Sequence, residues 1–267
     1  INRLSIGIQS FNDEFLQFMN RAHSAEQANT AVQMAQDVGF DNLTIDLIYG
    51  VPGSTLQTWE KELIRMDQLN VPHLSAYCLT IEENTVFGHW KKKGIIKPFA
   101  DEESIKQFQF LIDYTDQLGM EQYEISNFAK QGYISRHNSA YWLGEHYLGI
   151  GPSAHSYNGE ERGWNISNNT QYQKAIEKGL DCYEVEKLSV QDRFNDYILT
   201  RLRTKWGVDL VELAAISSQM THDMKPVLMA YIKEGDLMVK NEVVTLTPKG
   251  RFIADGISSD LFCTSDD

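Results

Sequence analysis

Three apolar, β-branched runs recur with helical stretches between them: Leu4-Ser5-Ile6-Gly7-Ile8-Gln9, Leu43-Thr44-Ile45-Asp46-Leu47-Ile48-Tyr49 and Leu74-Ser75-Ala76-Tyr77-Cys78-Leu79-Thr80. Near-continuous apolar strands belong in parallel sheets covered by helices. Parallel neighbours also need a long crossover, which the intervening sequence supplies. Asn12 is placed to cap a helix over Glu14 to Met19. Ser24-Ala25-Glu26-Gln27 reads as a capping box opening a helix to Val38, with Ala28, Ala31, Val32, Ala35 and Val38 on one face and Gly39 as its left-handed exit. A further helix covers about Thr55 to Leu69. Gln9 and Thr80 end their strands, and the C-terminal ends of parallel strands are where such sheets bind ligands. Either residue could equally satisfy loop amides. Asp46 interrupts its strand, and a buried carboxylate is costly unless it is paired.

The remainder reads as two further parts. Glu82 to Trp90 is expected to be a loop with a helical turn, Lys91-Lys92-Lys93 a solvated face, and Asp101 to Leu118 a long amphipathic helix. Gln122 to Asn127 alternates in polarity, as an antiparallel or edge strand does. In RHNSAYWLGEHYLGIGPSAHSY, Arg136 to Tyr157, we expect His137 and Asn138 in a loop and a helical turn over Ser139 to Leu143. Tyr147 to Pro152 reads as a strand into a glycine turn and Ser153 to Tyr157 as its return. A helix follows over Asn169 to Lys178. From Ser189 onward, helices at Gln191 to Arg203, Leu210 to Ile216 and Met224 to Gly235 precede a hairpin and a closing helix, the outline of a winged helix, with a polar Ser265-Asp266-Asp267 tail. The expected division is therefore 1–118, 119–188 and 189–267.

Charge narrows the partners. With 24 Lys and Arg against 37 Asp and Glu, the net charge is −13, the wrong sign for a nucleic-acid face or for anionic lipid. From Asp181 onward 10 basic residues stand against 15 acidic ones, so the winged-helix outline reads as a packing or docking module. No run approaches the roughly 20 apolar residues of a membrane span. Cys78, Cys182 and Cys263 form no metal-binding spacing, and a reducing cytoplasm is the simplest setting. The GIGPSAHS turn is neither a phosphate loop nor a nucleophile elbow. Ser153 and His155 have no implied acid partner. His137, His146 and His155 recur every nine residues and share no helix or strand face, which argues against a preformed zinc site. His146 and His155 read as structural groups. For His137, beside Tyr141 and Trp142, a structural role and ligation of haem iron both stay open.

Several segments together carry a resemblance: RLSIGIQSFND, Asn20-Arg21, NLTIDLIYGVPGST, LSAYCLTIEENT, QYEISNFAK and the run from Arg136. In this order they resemble the radical SAM oxygen-independent coproporphyrinogen III oxidases and the haem chaperones related to them. The resemblance implies an α/β fold, the C-terminal half of a partial (β/α)6 barrel with an antiparallel extension and a winged-helix-like module. It implies that Gln9, Arg21, Asp46 and Thr80 hold S-adenosylmethionine. RHNSAYW resembles the His-Asn-x-x-Tyr-Trp signature of the chaperone branch, implying haem binding by His137, Asn138, Tyr141 and Trp142 and delivery to client haemoproteins. The alternative it implies is oxidative decarboxylation of coproporphyrinogen III. The family's [4Fe-4S] loop, Cys-x3-Cys-x2-Cys, does not occur in this sequence, which opens on Ile1-Asn2-Arg3 without Met. We read the chain as part of a longer protein with its cluster cysteines upstream. By itself it is expected to be inactive, to retain none of these cofactors and to self-associate through the edge at Leu4 to Gln9.

Overall fold

Strand β1 (Leu4–Gln9) pairs in parallel with β2 (Leu43–Tyr49), and β2 in parallel with β3 (His73–Cys78). The computed structural model describes residues 1–83, 85–96 and 99–264. Helices α1 (Asp13–Phe18), α2 (Ala25–Asp37) and α3 (Leu56–Gln68) make the crossovers, each starting where a side chain caps it. Asn12 accepts from the Glu14 amide at 2.9 Å, Ser24 and Gln27 form the expected capping box, and Thr55 and Thr58 form another. α2 buries Ala28, Val32 and Ala35 while Ala31 and Val38 stay exposed, so the buried stripe is narrower than the apolar face read from the sequence.

Strand alternation gives the sheet two unlike faces. One carries Leu43, Ile45, Leu47 and Tyr49 beside Leu74 and Ala76, all buried. Tyr49 packs there on Trp59 of α3 and on Phe108 of α5 (Asp101–Gln117), with ring centroids 5.6 and 6.0 Å apart. The opposite face carries Thr44, Asp46 and Ile48 beside His73, Ser75 and Tyr77. The segment from Glu82, expected as a loop with a helical turn, carries α4 (Val86–Lys92), capped by Thr85, while Asn84 of the EENT motif lies outside the described residues.

The single strand expected over Gln122 to Asn127 is two: β4 (Glu121–Glu124) and β5 (Asn127–Ala129). Glu124 folds the chain back by accepting from the Ser126 amide at 3.1 Å and from the Asn127 side chain. β5 pairs antiparallel with β3, giving the order β1-β2-β3-β5-β4 with β1 at one edge. The expected boundary at 118/119 thus falls before a hairpin that continues the first sheet. The first compact unit runs to Ile134, and the second spans Ser135–Asp267.

The second unit begins with α6 (Arg136–Trp142). His137 and Asn138 are helical, not in a loop, because Ser135 caps the helix by accepting from the Asn138 amide at 3.3 Å. β6 (His155–Tyr157), β7 (Glu161–Asn165) and β8 (Tyr183–Lys187) form an antiparallel sheet in that order, with α7 (Asn169–Lys178) before β8. Tyr147 to Pro152 is not a strand. Tyr147 alone bridges to Tyr157, and Asn165 then draws in the Gly149 and Gly151 carbonyls at 3.3 and 2.9 Å, bending the segment into a loop. A Cβ on Gly149 would lie 2.2 Å from the His155 carbonyl oxygen, so only glycine fits.

The winged-helix outline is present from α8 (Val190–Leu202) onward. β9 (Val208–Asp209), α9 (Leu210–Ile216), α10 (Ser218–Asp223) and α11 (Lys225–Glu234) precede the wing, β10 (Leu237–Lys240) and β11 (Val243–Leu246). The three strands pair antiparallel as β10-β11-β9. Asn241 and Glu242 make the two-residue hairpin turn, both at positive φ. A 3-10 turn over Gly250–Ile253 leads into α12 (Ala254–Asp260), and the expected polar tail lies outside the described residues. Among the described residues no helix is long and apolar enough to cross a membrane.

Buried His73 tests the polar face. Its Nε2 lies 2.9 Å from the Tyr123 hydroxyl, and burial, with the positive charge of Arg3, pushes its pKa down to about 3. The folded chain therefore holds the neutral ring while the unfolded chain takes up a proton near pH ~6.5. The associated stability is lost progressively as pH falls below ~6.5 toward 3. We predict a shallower acid-side fall in melting temperature for His73→Gln than for the parent; parallel curves would refute the assignment.

Candidate functional site

The last turn of β1 leaves strand geometry. Register with β2 slips between Ile6 and Gln9, and Gln9 sits at φ 66°, a left-handed conformation that a non-glycine residue holds only under constraint. The constraint is α3. Buried Glu62 accepts from the Ser10 hydroxyl at 3.0 Å and the Phe11 amide at 2.6 Å. His23 Nε2 meets the Ile8 carbonyl at 3.0 Å. Burial raises the Glu62 pKa, and those two hydrogen bonds oppose the rise.

This bend gathers three residues that are distant in sequence. A Cβ placed on Gly7 would lie 2.9 Å from Gln9 Nε2, 3.7 Å from Asp46 Oδ2 and 3.9 Å from an Arg21 guanidinium nitrogen. Amide, carboxylate and guanidinium therefore converge on the space that Gly7 leaves open. Arg21 arrives because Asn20, at φ 53°, reverses the chain after α1 and returns the Arg21 amide to the Leu16 carbonyl at 2.9 Å. Asp46 is partly buried. Burial raises its pKa, and a hydrogen bond with Ser75 lowers it. Thr80 lies two residues past the end of β3, exposed, and is not among the atoms nearest that space.

From Asp46 a polar row continues in register across the sheet: Asp46 opposite Ser75, Ser75 opposite Asn127, and Asn127 opposite Glu124. Ser75 donates to Asn127 Oδ1 at 2.7 Å. Sequence reasoning missed Glu62, Ser75, Asn127 and Glu124. Glu62 had a readable signal, a carboxylate in line with Trp59, Leu63 and Met66 on an otherwise apolar helix face. The row had none, since it exists only once the strands are in register.

The RHNSAYW residues lie in the second unit. His137 and Tyr141, one turn apart on α6, are exposed and meet edge to face at 5.0 Å. Tyr141 meets Tyr147 at 4.8 Å, and Tyr147 meets Tyr157 at 6.0 Å. Asn138 and Trp142 occupy the neighbouring, half-buried face; the Trp142 Nε1 is buried without a hydrogen-bond partner, and Arg203 lies over its ring at 5.6 Å. His146 packs near Tyr157 at 6.3 Å and His155 near Trp164 at 6.1 Å. A cavity of about 550 Å³ opens beside α6, lined by Tyr141, Trp142, Tyr147 and Tyr157 among others.

Residues 1–64 match the model of the radical SAM superfamily. The chain is also 31% identical over 259 residues to the heme chaperone HemW of Bacillus subtilis (strain 168), covering 96% of this chain and 68% of that protein. The chain belongs to the HemW/HemN-like radical SAM family. Within it, HemW of Lactococcus lactis is 34% identical over 79% of this chain and 55% of its own length, and HemW of Escherichia coli is 29% identical over 96% and 67%. The chain thus spans between about half and two thirds of these relatives' length. The fold is that of E. coli coproporphyrinogen III oxidase, HemN, a radical SAM enzyme, with a TM-score of 0.78 at 24% identity over 98% of this chain and 64% of that one.

Family membership implies S-adenosylmethionine and a [4Fe-4S] cluster. The space over Gly7, walled by an amide, a carboxylate and a guanidinium, fits the first, a ligand that carries ammonium, carboxylate and ribose hydroxyls. For the cluster, no group of three or more His, Cys, Asp or Glu side chains that could hold a metal is gathered among the described residues.

Proposed function

We propose that the intact protein is a cytoplasmic haem chaperone, binding haem and passing it to client haemoproteins. One observation carries the reading: RHNSAYW forms a capped helix that exposes His137 against Tyr141, and Tyr141 and Trp142 in turn line an aromatic cavity. A neutral imidazole is a good haem-iron ligand, and flat aromatic walls suit a flat macrocycle. His137 serves as ligand or ligand-orienting residue, with Asn138, Tyr141 and Trp142 shaping its surroundings. The HemW relatives are named heme chaperones, which supports the same reading.

In the first unit, Gln9, Arg21 and Asp46 form the S-adenosylmethionine cradle, with Thr80 a further contact. Arg21 takes the ligand carboxylate bidentately, and Asp46 takes its ammonium or ribose hydroxyls. The second reading, oxidation of coproporphyrinogen III, is favoured by the HemN fold alone. Anaerobic turnover of that substrate by the intact, cluster-loaded protein would establish it.

His137→Ala is expected to weaken haem binding by the intact protein about tenfold or more and to shift its Soret band; an unchanged titration removes His137 from the site. Gly7→Ala in the same protein is expected to displace only the end of the Gln9 side chain. It should lower S-adenosylmethionine affinity with little change in unfolding midpoint, and equal affinity in calorimetry would discard the cradle. β1 stands at a sheet edge, which supports self-association of this chain through strand pairing. Light scattering should show mass rising with concentration, and a constant monomer mass would exclude it.

A further inference from the structure

The cavity beside α6 has two chemically different walls. Tyr141, Trp142, Tyr147 and Tyr157 form the aromatic side, while Arg162 of β7 and Arg193 and Arg201 of α8 stand among the remaining lining residues. In α8 the order Arg193, Tyr197, Arg201 repeats every four residues and so presents one face. Among the described residues, Asp196 is the acid that lines the cavity. Three guanidinium groups thus stand with two carboxylates, Asp196 and Glu212, in a chain whose net charge is −13.

The three cations are not equally occupied. Arg162 is ion-paired with Asp196. Arg201 is ion-paired with Glu212 at 3.8 Å, lies over the Tyr197 ring at 5.2 Å and donates to the Leu143 carbonyl at 3.3 Å. The Nε of Arg193 is buried and has no hydrogen-bond partner. A buried guanidinium N–H without an acceptor is costly. Arg193 also lines the cavity and makes no ion pair among the described residues, so an anionic ligand there would meet a guanidinium without a carboxylate partner. The volume, about 550 Å³, lies within the usual range of small-molecule sites, roughly 300–1,000 Å³.

We propose that this cavity recognises haem by its carboxylates: the macrocycle lies against the tyrosine and tryptophan wall, and the propionates are held by Arg193, with Arg162 and Arg201 beside it. The proposal rests on the haem-binding reading above and adds the residues that select a porphyrin dicarboxylate. Planar guanidinium groups suit this task because they pair with carboxylates through two parallel hydrogen bonds. Asp196 is the internal competitor, engaging Arg162 until a ligand carboxylate replaces it.

The test titrates the intact protein, in one buffer, with haemin and with haemin dimethyl ester, which keeps the iron and macrocycle but has no free carboxylates. The wild type should prefer haemin by roughly tenfold or more, the scale of a charge-assisted hydrogen bond. Arg193→Leu should bring the ratio of the two affinities to within about threefold of unity, and Arg193→Lys should retain part of it. Asp196→Asn, which releases Arg162, should raise the ratio. Far-UV circular dichroism checks that each variant is folded; if Arg193→Leu is not, the Arg193→Lys and Asp196→Asn ratios decide. Equal wild-type affinities, or a preference untouched by these substitutions, would overturn the carboxylate cradle and leave the haem reading standing. If neither porphyrin binds the wild type, the haem reading falls and takes this inference with it.

Discussion

A buried carboxylate on α3 holds the first unit's candidate site in place. Glu62 lies on the apolar face of its helix, in line with Trp59, Leu63 and Met66, and accepts from Ser10 and the Phe11 amide. Those two bonds fix the chain immediately after Gln9, whose left-handed backbone would otherwise relax. With Gln9 fixed, its side chain turns over Gly7 toward Asp46 and Arg21. A carboxylate in this place is costly to bury, so its acceptor capacity must be used. Both oxygens are used on the one segment where strand becomes site.

The sheet separates the work of folding from the work of binding by face. Leu43, Ile45, Leu47 and Leu74 are buried on one side. The other side carries Asp46, Ser75, Asn127 and Glu124 in one register row, each linked to the next by pairing or hydrogen bond. A row of this kind is tolerated because each member supplies a partner to its neighbour. The second unit follows a similar logic with helices: Phe194, Ile198 and Leu202 of α8 are buried, while Arg193, Tyr197 and Arg201 line the cavity.

Much of this was legible in the residues. Strand periodicity, the caps at Asn12 and Ser24, and the wing around Asn241-Glu242 all act over a few residues, where local physics dominates. The failures share a cause. His137 and Asn138 read as loop because the residue that caps their helix, Ser135, lies just before the motif. Gln122 to Asn127 read as one strand because its reversal depends on the Glu124 side chain bonding to Ser126 and Asn127. Tyr147 to Pro152 read as a strand because its loop shape depends on Asn165, more than a dozen residues away.

By itself the sequence determined the order of elements, the polar residues that interrupt apolar strands, and the histidine-aromatic motif, because each is a property of neighbours along the chain. It could name Gln9 and Asp46 from the strand pattern, and Arg21 through the family resemblance, as separate candidates. Only the tertiary structure decided that they meet over Gly7, that Glu62 holds the segment beside them, and that Arg162, Arg193 and Arg201 share a cavity with Tyr141 and Trp142. Such meetings depend on strand register and helix packing, in which a shift of one residue turns a side chain to the opposite face.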